Sequence, residues 1–216
     1  MTEFIGFPRA DGAVGIRNHV IIVGSGLAGV NVSHQVAGLI KEIIPVFYGP
    51  DSADYLVDIL RHPNVAGIVM VEDGSDGETT GDLVSDLERT GKPHQVVRVQ
   101  GLGSIEAVSK TTRAAIEILR DVSTQRRELV RFSKLLPGLL YVSADLISEV
   151  LKGFVELVVE ENGRLLWVEG MAGIGVKLKR EVSRYIAGDL RPGQIPGKGP
   201  GIYRYRGLEG ADAIQR

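Results

Sequence analysis

Four apolar runs rich in β-branched residues, His19–Val23, Ile43–Tyr48, Gly67–Val71 and Gln95–Val99, recur along the N-terminal half of the chain. None alternates apolar with polar positions, the pattern of strands buried on both faces of a parallel sheet. Between them, Asn31–Lys41, Ser52–Arg61 and Thr80–Thr90 carry helical spacing. Asp51-Ser52 offers a helix start and Gly91-Lys92-Pro93 a helix stop. The resulting βαβαβαβ order with right-handed crossovers predicts a Rossmann-like α/β fold. It has a doubly wound, mainly parallel sheet in three layers, with ligand crevices at the carboxyl ends of the strands.

Ser104 to about Arg131 then reads as one long helix, broken near Ser123-Thr124, and Leu135-Leu136-Pro137-Gly138 punctuates the chain. This divides it into a domain over residues 1–136 and an appendage over 137–216. Phe154–Glu160 and Arg164–Glu169, joined around Asn162-Gly163, read as a β-hairpin. Met171–Ala187 reads as a helix, and the proline- and glycine-rich stretch from Arg191 as an irregular tail.

Composition narrows the function classes. The 216 residues are 44% hydrophobic and 24% charged with a net charge of −2, so the chain should fold, and it lacks the basic footprint of a nucleic-acid binder. No cysteine is present, which excludes disulfides, thiolate metal sites and a cysteine-held iron–sulfur cluster. The longest uncharged stretch, His19–Ile40, is too rich in glycine and polar residues for a membrane span. With no basic-then-apolar leader at the start, a cytoplasmic location is expected.

Gly24-Ser25-Gly26-Leu27-Ala28-Gly29 is a G-x-G-x-x-G placed after a strand and before a helix. Such a turn can bring backbone N–H groups and a helix N-terminus to an anion, and it is the first half of an NAD or FAD fingerprint. The second half is weak, because the second strand ends Phe47-Tyr48-Gly49-Pro50 and Asp51 arrives late. The glycines equally suit a tight turn with close helix–sheet packing. Gly24, Ser25, Gly26, Asn31, Ser75, Gly101, Gly103 and Ser104 are therefore candidate anion contacts. Arg9, Arg17 and Asn18, just before the first strand, could clamp a carboxylate or serve as structural pins. His34, one turn past Asn31, is the candidate base. Asp73 and Asp76, in the acidic stretch after the third strand, are candidate ligands for magnesium or manganese.

The opening string Phe4-Ile5-Gly6-Phe7-Pro8-Arg9-Ala10-Asp11-Gly12-Ala13-Val14-Gly15-Ile16-Arg17-Asn18 resembles the start of the second domain of altronate and galactarate dehydratases. His62-Pro63-Asn64-Val65 and Thr90-Gly91-Lys92-Pro93, with Gln100-Gly101-Leu102-Gly103-Ser104, resemble the same family in the same order, so the resemblance covers about residues 4–133. It implies elimination of water, or of sulfite in one branch, from an acidic sugar-like substrate with a divalent metal; Arg17, read from its own position, is the candidate catalytic residue beside His34. Where the family carries cysteines, this chain has Ala28 or Gly29, then Phe47, Gly49 and Pro50, then Gly74, Ser75 and Asp76. The expected protein is a reduced dehydratase-like domain that binds a sugar acid, as a homo-oligomer or beside a partner lyase subunit. A dinucleotide-binding oxidoreductase domain and a non-catalytic structural subunit are the alternatives.

Overall fold

The computed structural model describes residues 2–47, 53–75, 77–139, 148–168, 186–190 and 201–205. The chain divides into two compact units, Ile5–Glu128 and Met1–Phe4 with Leu129–Arg216.

Strand β1 (Glu3–Pro8), whose residues from Ile5 on belong to the first unit, pairs antiparallel with β2 (Val14–Gly15) and leads into β3 (His19–Ser25). Then follow α1 (Gly26–Leu39), β4 (Ile43–Phe47), α2 (Ala53–Arg61), β5 (Val65–Glu72), α3 (Gly77–Thr90), β6 (His94–Arg98) and α4 (Ser104–Ser123). The order β4-β3-β5-β6 is parallel throughout. The continuous apolar runs have the expected cause. Val20 and Ile22 enter one core with Val32 and Val36 of α1 and Ala115 and Ile118 of α4. Ile21 and Val23 enter the other, with Leu56 and Leu60 of α2 and Leu83 and Leu87 of α3. Alternate side chains thus bury against helices on opposite faces, which is the doubly wound arrangement. The chain leaves β3 toward β4 on one face and returns across to β5 on the other. The topological switch point therefore lies between the carboxyl ends of β3 and β5.

The long helix stops at Ser123, where the hydroxyls of Ser123 and Thr124 donate to the carbonyls of Arg120 and Asp121 at 2.6 and 2.7 Å. Glu128–Arg131, expected to be helical, is instead strand β7.

The second unit corrects the hairpin. Phe154–Glu160 lies inside α5 (Ser148–Glu160), and only Arg164–Val168 forms a strand, β9. Val155 and Val158, three apart, share the buried face, so helical period prevails over the β preference of the valines. Asn162, at φ 54°, and Gly163 end the helix in a left-handed cap, with Gly163 N–H donating to the Val158 carbonyl at 2.7 Å. Strands β8 (Gly138–Leu139), β10 (Ile186–Leu190) and β11 (Gly201–Tyr205) join β9 in a parallel sheet of order β10-β11-β9-β8. The stretch read as an irregular tail therefore supplies a strand at 201–205. The helix expected over Met171–Ala187 ends on strand residues Ile186 and Ala187, and residues 171–185 lie outside those described.

At the amino edge of the first sheet, Lys92 is 8% exposed and its Nζ donates to the carbonyls of Leu60 and His62 at 2.6 and 2.8 Å, closing the C-terminal end of α2. Burial, with Arg9 nearby, lowers the Lys92 ammonium from 10.5 to about 8. Between these two values the unfolded chain holds a proton that the folded chain has released, so stability rises with pH across that window. Urea midpoints measured from pH 8 to 10.5 should rise in the wild type and lose most of that rise in Lys92→Met. A rise of equal size in the variant would assign it to other groups.

Candidate functional site

The glycine turn sits at the switch point, and its occupant belongs to the chain itself. Asp73, just past the end of β5, accepts the Ala28 N–H on Oδ2 at 3.1 Å and the Ser75 N–H and hydroxyl on Oδ1 at 3.0 and 2.5 Å. The Gly29 N–H also stabilises its charge. These bonds, the Ser75 hydroxyl foremost, hold the Asp73 carboxyl below its usual range. Ser25 precedes α1 but its side chain does not cap the helix. The first turn of α1 is thus capped from β5, a neighbour in space and not in sequence.

The glycines follow from that arrangement. Gly26 has φ +65°, and a Cβ there would lie 2.1 Å from Asp73 Oδ1. A Cβ on Gly29 would meet the Val71 carbonyl oxygen at 2.5 Å, and one on Gly24 the Val30 Cα at 2.7 Å, so both admit the close approach of α1 to β5 and β3. A pyrophosphate at this turn would have to displace Asp73 from the same N–H groups.

The next two carboxyl-edge turns lie alongside. Gly74, at φ +84°, rests against the Gln100 side chain, and the Val99 N–H donates to the Glu72 carbonyl at 2.9 Å. Arg98 at the end of β6 is register partner to Glu72 at the end of β5, and its Nε donates to the Glu72 carboxylate. The sequence reading missed Arg98 and Gln100. Their signal was Arg98 as the polar end of an apolar strand beside the acidic end of its neighbour. Gly101, Gly103 and Ser104 are exposed. The N-cap of α4 is Gly103, and among the described residues no side chain caps the first N–H groups of this helix.

The remaining candidates lie elsewhere. Asn31 and His34 are exposed on α1, and His34 stacks on Phe47 with centroids 4.1 Å apart. Arg9, Arg17 and Asn18 are at the amino edge. Arg9 donates to the carbonyls of Pro63 and Arg17 at 2.7 and 3.1 Å and to Gln125 Oε1 at 2.7 Å, and burial lowers its pKa. The Arg17 backbone N–H donates to Asn64 Oδ1 at 3.2 Å, and the Asn18 amide donates to the Val122 carbonyl at 3.1 Å. Asp76 lies outside the described residues, and among those described no group of three His, Cys, Asp or Glu is placed to hold a metal.

Residues 50–123, from the approach to α2 through α4, match the profile of the family described as D-galactarate dehydratase/altronate hydrolase, second domain. The resemblance expected over 4–133 is thereby shown over this narrower span. The chain is also 28% identical over 142 residues to the (2R)-sulfolactate sulfo-lyase subunit beta of Chromohalobacter salexigens, covering 61% of this chain and 36% of the relative. It therefore spans about a third of that relative's length. No helix among the described residues is long and apolar enough to cross a membrane.

Asp73→Ala should cost about 1 kcal/mol, the typical value of a lost helix cap. Because the Asp73 carboxyl is held low in the fold, its contribution is present above the ordinary carboxylate range and fades as pH falls through the folded value. Thermal melts from neutral to acid pH should therefore show a smaller acid-side loss in the variant. Equal losses would show that the carboxylate does not cap α1.

Proposed function

We propose that this chain is a dehydratase-like module of a lyase assembly, which binds an acidic sugar-like carboxylate at the carboxyl edge of its parallel sheet. The observation that carries this is the contrast between two helix ends. The α1 terminus is filled by Asp73, whereas the α4 terminus at Gly103-Ser104 has no side-chain cap and follows directly on Arg98 and Gln100. An uncapped helix end concentrates N–H donors and positive potential, which suits a carboxylate. The family match over residues 50–123 supports an aldaric or related sugar acid as the ligand class.

Elimination next to a carboxylate needs a base and a cation that stabilises the enediolate. Among the described residues the carboxylates at this edge are already engaged, Asp73 by α1 and Ser75, Glu72 by Arg98. His34 is placed against Phe47. We assign the cation and the base to another part of the assembly. A dinucleotide-binding role is less well supported, since Asp73 holds the N–H groups that a pyrophosphate would use.

Ser104→Asp tests the reading, because it places a carboxylate in the open first turn of α4 without harming the helix. Calorimetric titration with galactarate should give an affinity at least about ten-fold weaker than wild type, a loss of about 1.4 kcal/mol. The thermal midpoint should be unchanged or higher. Equal affinity in the two proteins would remove the ligand from this helix end.

A further inference from the structure

Helix α1, Gly-Leu-Ala-Gly-Val-Asn-Val-Ser-His-Gln-Val-Ala-Gly-Leu, contains no Asp, Glu, Lys or Arg. Among the described residues, Gly29, Val32, Ser33 and Val36 form its buried face, while Leu27 is 79% and Leu39 67% exposed. Charge depletion marks the centre of protein interfaces. The adjoining surface of α4 continues the feature, with Ile105 86% and Ile116 54% exposed. A groove of about 430 Å³ runs between the two helices, lined by Gln35 and Leu39 from α1 and by Ile105, Val108, Ser109 and Arg113 from α4.

We propose that this α1–α4 surface is a two-fold interface between two copies of the chain, with the α4 helices crossing at Ser109. The choice of a second copy comes from the charges around that residue. Glu106 lies three positions before Ser109 and Arg113 four positions after it, on the same face of α4, and the Arg113 guanidinium leans back to donate to Ser109 Oγ at 3.3 Å. A two-fold axis passing Ser109 reverses the direction of the second helix. It sets Glu106 of each copy opposite Arg113 of the other, giving two ion pairs from one self-complementary patch. Arg113 exchanges its Ser109 contact for Glu106 of the other copy, and Ile105 and Leu39 provide the apolar surface flanking the crossing. The inference does not rest on the ligand reading, although Ile105 and Glu106 of the first turn of α4 belong to both surfaces, so association is measured with no carboxylate ligand present.

Sedimentation velocity on the full chain between about 1 and 100 µM should show a dimer that dissociates on dilution. Arg113→Glu sets like charges opposite each other and should weaken the dimer at least about ten-fold. Glu106→Arg should do the same, and Glu106→Arg/Arg113→Glu should restore it. Circular dichroism melts will verify that each variant is folded. Three results would overturn the proposal. These are a wild-type monomer across the range, a dimer indifferent to either single substitution, or two single losses that the double swap fails to recover.

Discussion

One carboxylate organises the carboxyl edge of the sheet. Asp73 joins the end of β5 to the first turn of α1, and so ties together the two central strands at the point where the chain changes direction across the sheet. Gly26 must be glycine because the carboxylate lies where its Cβ would be, and Gly29 because α1 then sits against β5. An anion-binding turn that carries its own anion is a fixed part of the scaffold. The α4 terminus, by contrast, has no side-chain cap among the described residues.

The opposite edge shows a second kind of constraint. Arg9, Asn18, Asn64 and Lys92 are spread widely in sequence, yet each spends its donors or acceptors on backbone groups of a distant segment. Buried or half-buried backbone carbonyls at strand and helix ends need such partners. Much of the opening string expected to mark a dehydratase resemblance therefore lies in the network that closes this edge, outside the matched residues 50–123. Gly15 belongs to it too, since a Cβ there would run into the Pro63 carbonyl oxygen at 2.2 Å. Resemblance carried by such residues reports the fold more directly than any chemistry.

The parallel sheet was legible because burial on both faces leaves a signature in adjacent residues: Val20 and Ile21 go to different cores and both must be apolar. The second unit was harder to read. The run Val155 to Val159 has strand-like composition, and Asn162-Gly163 suits a hairpin turn as well as a helix cap. Only the burial of Val155 with Val158 separates the two. Candidate site residues divide in the same way. The glycine turn was placed correctly on the strand-to-helix junction, but no local pattern shows that Asp73, far along the chain, would fill it. Arg9, Arg17 and Asn18 adjoin the first strand in sequence, and strand direction puts them at its amino end, away from the crevice.

The central claim is that Asp73 closes the α1 end while the α4 end remains open to a carboxylate. Amide chemical shifts of the labelled chain, followed during titration with galactarate, address both halves at once. The account predicts that the Ser104, Ile105 and Glu106 amides move with a common saturation curve while those of Ala28 and Gly29 stay in place. Movement of Ala28 and Gly29 with Ser104 unmoved would contradict it, because the ligand would then have displaced the carboxylate from the glycine turn.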